Sequence, residues 1–260
     1  NTLPLDANMQ IMAKFEIGDG NFDIEVGVDP DYEALEMKVG SYINAEGKVV
    51  RDAADAVGIV FKMEAIGSDV PANYPVALQG KTIAGYAVAI ENVATGRQVL
   101  NNAAMSSLVT TDATVTNGTQ ATDALLTGIG EVAFMTTYNS WVNEHPLDGE
   151  SLSSWYIPTV DQLGEFMGML FKIGEVEPTG GQAFREMPEF AFENGVMFDR
   201  DPIGSVYYAS CTVNGSKDIS GVIINVDKTT KQVLDAKASS LKVTGSSQKA
   251  LCRPMITIFK

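Results

Sequence analysis

The 260 residues carry 33 acidic against 18 basic side chains, a formal net charge of −15, with 45% apolar residues and a mean hydropathy of +0.04. This balance suits a globular chain able to bury a sizeable core, and it argues against nucleic acid as partner, because a phosphate backbone needs a basic face and the cations here are scattered. No run approaches the ~18 uninterrupted apolar residues of a membrane span, and two cysteines with one histidine are too few for a disulfide scaffold or a four-ligand zinc site.

Residues 1–7 carry neither a basic stretch nor an apolar core of a leader, and the missing initiator Met makes a removed leader the expectation. Met9 to Ile17 and Phe22 to Val28 alternate apolar and polar around Gly18-Asp19-Gly20-Asn21, which predicts a β-hairpin. Asp29-Pro30-Asp31 breaks the pattern, so residues 1–36 read as a hairpin appendage and 37–260 as the main domain. Strands are expected at Leu35–Asn44 and Lys48–Arg51 around Gly47, at the apolar run Val57–Phe61, and at Tyr86–Val93. Leu100 to Gly118 reads as a long polar connection.

Helical spacing begins at Thr119, with Ala121, Leu125 and Ile129 on one face, and resumes from Glu131 to Val142 beyond Gly128 and Gly130. Thr159 with Gln162 forms a capping box before Leu163, Phe166, Met167 and Leu170, a third helix stopped at Gly174. A loop of about thirty residues follows, of a length that in compact domains is usually functional. Strands return at Ser205–Val213, Gly221–Val226, Ser240–Val243 and Leu251–Phe259. Strands, then helices, then strands predict an α+β fold with mixed or antiparallel strands.

Four ordered blocks carry a resemblance. They are Val39-Gly40-Ser41-Tyr42 with Gly47 and Val57-Gly58-Ile59-Val60-Phe61; Gly85 to Ile90; Trp155-Tyr156-Ile157-Pro158-Thr159 with Gln162-Leu163; and Tyr207-Tyr208-Ala209-Ser210 followed by Arg253-Pro254. Their series resembles the Bacteroidetes surface domains related to the Fibrobacter major paralogous group. The resemblance spans residues 37–260 and implies a C-type-lectin-like fold with about three helices. It also implies that Trp155, Tyr156, Pro158, Tyr207, Tyr208 and Arg253 are scaffold, the tyrosines and Arg253 near the centre of the sheet with Arg253 bonded to loop carbonyls. The usual Ser-Thr-Glu continuation is replaced by Cys211-Thr212-Val213, and Cys252 precedes Arg253-Pro254. If the strands pair as the resemblance implies, Cys211 and Cys252 approach one another, either as a disulfide or as two buried thiols.

The sites weigh differently. Glu177-Pro178-Thr179 is the sole echo of the calcium tripeptide of true C-type lectins, and Thr179 lacks the amide carbonyl; Asp199-Arg200-Asp201 reads as a solvated turn more readily than as half a calcium loop. His145, in Asn-Glu-His-Pro, reads as a solvated loop histidine, with no Gly-x-Ser-x-Gly elbow beside it. No metal or cofactor is implied. Phe184, Arg185, Phe190, Asn194 and Arg200, with Lys217 from the Asn214–Asp218 turn, are the candidate ligand contacts, aromatics and cations being suited to recognition. The expectation is a secreted, outer-surface, lipid-anchored binding or adhesion module that is not an enzyme and recognises a glycan or protein. The alternatives are a fimbrial tip or accessory subunit that joins other surface subunits through residues 1–36, and an inactive relative of the formylglycine-generating enzymes.

Overall fold

The computed structural model of the chain describes residues 11–18, 21–28, 35–93, 98–99, 117–129, 133–170, 203–213, 219–227, 233–241 and 249–260. The alternation at the start forms a ribbon: β1 (Ile11–Gly18) and β2 (Asn21–Val28) pair antiparallel as a sheet of their own. Ile11 lies opposite Val28, Ala13 opposite Val26, Phe15 opposite Ile24 and Ile17 opposite Phe22. Because residues two apart share a face, these eight apolar positions fall on one side, and Lys14, Glu16, Asp23 and Glu25 fall on the other.

Next come β3 (Tyr42–Ile43), β4 (Val49–Val50), β5 (Gly58–Lys62), the one-turn helix α1 (Val76–Gln79), β6 (Ile83–Ala89) and β7 (Gln98–Val99). Three longer helices follow: α2 (Gly118–Ile129), α3 (Ala133–Glu144) and α4 (Val160–Leu170). The chain closes through β8 (Ile203–Val213), β9 (Ile219–Asp227), β10 (Val233–Leu241), β11 (Lys249–Ala250) and β12 (Met255–Phe259). None of the described helices is long and apolar enough to cross a membrane. The chain is therefore α+β, with antiparallel strand pairing in each sheet and four described helices.

The central sheet runs β12-β6-β5-β3-β4, and both of its faces are covered. Along β6 the small residues Ala84, Ala87 and Ala89 face one core, under Trp141 and Trp155, while Ile83, Tyr86 and Val88 face the other, against Leu163 and Phe166. β5 alternates in the same way, Val60 to the first core and Ile59 and Phe61 to the second. A strand buried on both faces reads as a continuous apolar run, so Val57–Phe61 carries that signal in the sequence. β8, β9 and β10 form a separate antiparallel meander.

The structure corrects several expectations. The strand predicted at Leu35–Asn44 shrinks to Tyr42–Ile43, because Gly40 turns the chain with φ of 88° and Ser41 folds back on Lys38, its N–H donating to the Lys38 carbonyl. The strand expected to start at Tyr86 begins at Ile83, and the one expected at Ser240 begins at Val233. Leu251–Phe259 is not one strand: Arg253-Pro254 divides β11 from β12, and a proline has no N–H to donate to a ladder. The count of helices rises above three with α1, a single turn entered through Pro75 and too short to show a period. Tyr207 and Tyr208 lie in β8 of the meander, not at the centre of the main sheet. A parallel bridge from Tyr208 to Leu251 joins that meander to the approach of β12.

Candidate functional site

A buried polar chain runs through the second core. Asp69 is 3% exposed, and its carboxylate accepts from Tyr74 Oη at 2.5 Å, Tyr86 Oη at 2.6 Å, Asn117 Nδ2 at 3.3 Å and Asn73 Nδ2 at 3.4 Å. Thr257 Oγ1 lies 2.7 Å from Tyr74 Oη and 3.0 Å from Tyr156 Oη, and Gln162 Nε2 donates to Tyr156 Oη at 3.2 Å. The direction of the chain follows from counting protons. Tyr74 gives its one hydroxyl proton to Asp69, so Thr257 must donate to Tyr74, and Tyr156 to Thr257. The sequence Gln162 to Tyr156 to Thr257 to Tyr74 to Asp69 thus ends on the one group that only accepts when ionised.

This chain fastens four parts of the fold. Asn117 caps α2, its Oδ1 accepting from Thr119 N at 2.6 Å and Gln120 N at 3.3 Å. Gln162 Oε1 accepts from Thr159 N at 3.0 Å and Gly118 N at 3.2 Å, which ties the starts of α4 and α2 together. Gly118 has to be glycine: a Cβ there would stand 2.3 Å from Tyr156 Cδ2. Burial pushes the Asp69 carboxyl above its ordinary range, against the pull of the four donors. It also raises the phenols of Tyr74, Tyr86 and Tyr156. A group so enclosed holds structure together and has no open position for a substrate.

The first core ends in an aromatic stack. Trp141 and Trp155 meet edge to face with centroids 5.1 Å apart, and His145 stacks on Trp141 at 4.3 Å. Trp155 Nε1 donates to the His145 carbonyl at 2.8 Å and Trp141 Nε1 donates to Glu91 Oε1 at 3.1 Å. His145 follows the last turn of α3, with Nδ1 2.7 Å from the Trp141 carbonyl oxygen and Nε2 3.0 Å from Glu91 Oε1. The expected solvated loop histidine is instead a packed, partly buried ring, because a stacking partner lies four residues back on the helix.

The scaffold residues carry internal contacts. Trp155, Tyr156, Tyr208 and Arg253 are buried, Tyr207 packs at the edge of the first core, and the Pro158 carbonyl accepts from Cys211 N at 2.9 Å. Arg253 Nε donates to the Ala89 carbonyl at 2.9 Å, and a terminal guanidinium nitrogen donates to the Ile90 carbonyl. Cys211 and Cys252 are both thiols in the structure, and both are buried. The bridge of Tyr208 to Leu251 sets Cys252 beside Ala209, with Cys211 two residues further along. Burial pushes the Cys211 thiol up to about 12 and raises that of Cys252 as well. Phe184, Arg185, Phe190, Asn194, Arg200 and Lys217 lie outside the described residues.

An open concave surface lies elsewhere among the described residues. A groove of about 640 Å³ is lined by Leu35, Glu36, Lys38 and Tyr42 on one side and Val49, Val50 and Arg51 on the other. Among the described residues no group of three or more His, Cys, Asp or Glu is placed to hold a metal. Sequence reasoning missed both the groove and Asp69. The groove includes the turn at Gly40, and the partners of Asp69 come from three segments, at Asn73-Tyr74, Tyr86 and Asn117, with no motif between them. Comparison with family models, curated proteins and solved structures finds no match.

Proposed function

We propose that this chain is a non-catalytic binding module of a bacterial outer surface, secreted and lipid-anchored, recognising a glycan or a protein on a C-type-lectin-like scaffold. The observation that carries the reading is the state of the motif residues. Trp155, Tyr156, Tyr208 and Arg253 are buried and bonded inward, so they support a surface and do not form a reactive centre. Recognition then falls to the groove at Leu35–Arg51 and to the long segment with Phe184, Arg185, Phe190, Asn194 and Arg200, together with Lys217.

A thiol mechanism of the formylglycine-generating type is disfavoured on physical grounds. The nucleophile there is a thiolate, and burial raises both thiols here. The reading as a fimbrial tip or accessory subunit draws support from the ribbon, whose apolar face is a ready contact for another chain. The test of the main reading is to present the purified chain to glycan and protein arrays. Retention of a ligand that is recovered chemically unchanged is the expected result. Silence on every array together with turnover of a simple substrate would overturn it.

A further inference from the structure

His145 is held between two acceptors. Its Nδ1 lies 2.7 Å from the Trp141 carbonyl oxygen, and its Nε2 lies 3.0 Å from Glu91 Oε1. A neutral imidazole has one N–H and one lone pair, and neither a backbone carbonyl nor an ionised carboxylate can donate to that lone pair. Both nitrogens therefore carry a proton in this arrangement, and the ring is an imidazolium. Two further features suit a cation here. The ring follows the last turn of α3, where the free carbonyls bear partial negative charge. It also stacks on Trp141 at an interplanar angle of 17°, which sets its charge against an indole face.

Glu91 is the charged group that faces the ring, from the bend after β6. It also accepts from Trp141 Nε1 at 3.1 Å. Within α3 the sole charged residue is Glu144, and residues 151–158, which bring Trp155 against the stack, carry no charge. Glu144 and Asp148 flank His145 in sequence and are exposed; among the described residues the ion pair of the ring is with Glu91. The bend itself is held on both sides, by Arg253 on the Ile90 carbonyl and by Val93 N on the Cys252 carbonyl. The Glu91 side chain, 55% exposed, is the part with room to move.

We propose that His145 is a proton-operated clamp between the end of α3 and the bend after β6. With both ring nitrogens protonated, the clamp is closed on Glu91. As pH rises the ring gives one proton to solvent. Nδ1 keeps its own, because the Trp141 carbonyl is fixed in the helix at 2.7 Å. The lone pair then falls on Nε2 and turns the Glu91 carboxylate away to water. The contact is present on the acid side and lost on the alkaline side. Histidine is the side chain whose ordinary charge change falls between about pH 5 and 8, so a modest change of surroundings operates the clamp.

The chain has one histidine and two tryptophans, and all three meet in this stack. Ring-nitrogen NMR and intrinsic fluorescence across a pH titration of the full chain therefore report on the clamp directly. The wild-type ring is expected to carry two protons at the acid end and the Nδ1–H tautomer at the alkaline end. Tryptophan emission is expected to rise over the same interval, because an imidazolium quenches an indole more strongly than neutral imidazole does. Glu91→Gln, which keeps the shape of the acceptor without its charge, is expected to move both changes to lower pH. His145→Gln is expected to abolish the rise in emission, which separates it from any response to Asp69. An Nε2–H tautomer at the alkaline end of the wild-type titration would overturn the proposal without recourse to a variant. So would a ring titration that Glu91→Gln leaves in place, or an emission change that His145→Gln retains.

Discussion

Asp69 carries the largest consequences at the scale of single residues, because its removal strands three buried donors, on Tyr74, Tyr86 and Asn117. Asp69→Ala is expected to lower the unfolding free energy by roughly 3 kcal/mol or more, the cost of leaving several buried groups unsatisfied. Chemical denaturation measures this, and a loss below about 1 kcal/mol would show that the groups find other partners. The pH dependence has a definite sign. The folded carboxyl is raised above its ordinary 3.8, so the native state holds the proton more tightly than the unfolded state does. Its contribution to stability is complete below that value and is lost as pH rises through the folded one. Asp69→Asn is therefore expected to flatten the fall in stability above pH 3.8, seen as a smaller slope in parallel melts of the two proteins. The cysteines make a second prediction. A thiol reagent at neutral pH is expected to modify neither Cys211 nor Cys252 in the native chain and both in denaturant, since both are buried and raised. A chain in which denaturant without reductant exposes no thiol would contradict this.

The elements show how local signals and distant ones divide. The box at the start of α4 is visible in the sequence because both halves lie three residues apart, and the structure closes it: Thr159 N donates to Gln162 Oε1 and Gln162 N to Thr159 Oγ1 at 3.2 Å. Thr159→Ala is expected to cost about 1 kcal/mol, a cap's worth. Gln162→Ala is expected to cost more, because the same amide also holds Gly118 N and the Tyr156 hydroxyl. Equal losses in thermal melts would mean that the box acts alone. The ribbon, β5 and α2 to α4 were legible for the same reason, each being written in a period of two or 3.6 or in a solid apolar run. Leu35–Gly40 was not, since its alternation suits a strand and only the positive φ of Gly40, a tertiary outcome, turns it aside. The full length of β10 was hidden as well: Val233-Leu234-Asp235-Ala236-Lys237-Ala238 has weak strand propensity and is held by pairing with β9.

For the whole molecule, two cores on opposite faces of one sheet are joined at the edge of β12, where Tyr156 and Thr257 carry the polar chain from α4 to Asp69. That arrangement was out of reach of the sequence, because its members are spread from Asp69 to Thr257 and no spacing links them. Trp155, Tyr156, Tyr208 and Arg253, which the four motif blocks contain, are buried. The central claim is that these residues form the scaffold and that binding happens on the surface they support. Isothermal titration of an array-derived ligand into the wild-type chain and into Tyr156→Phe, at a temperature where both are folded, tests it most directly. The account predicts a lower melting temperature for the variant, from the break in the chain between Gln162 and Thr257, and an unchanged dissociation constant. An unchanged melting temperature with binding abolished would contradict it and place Tyr156 in the site.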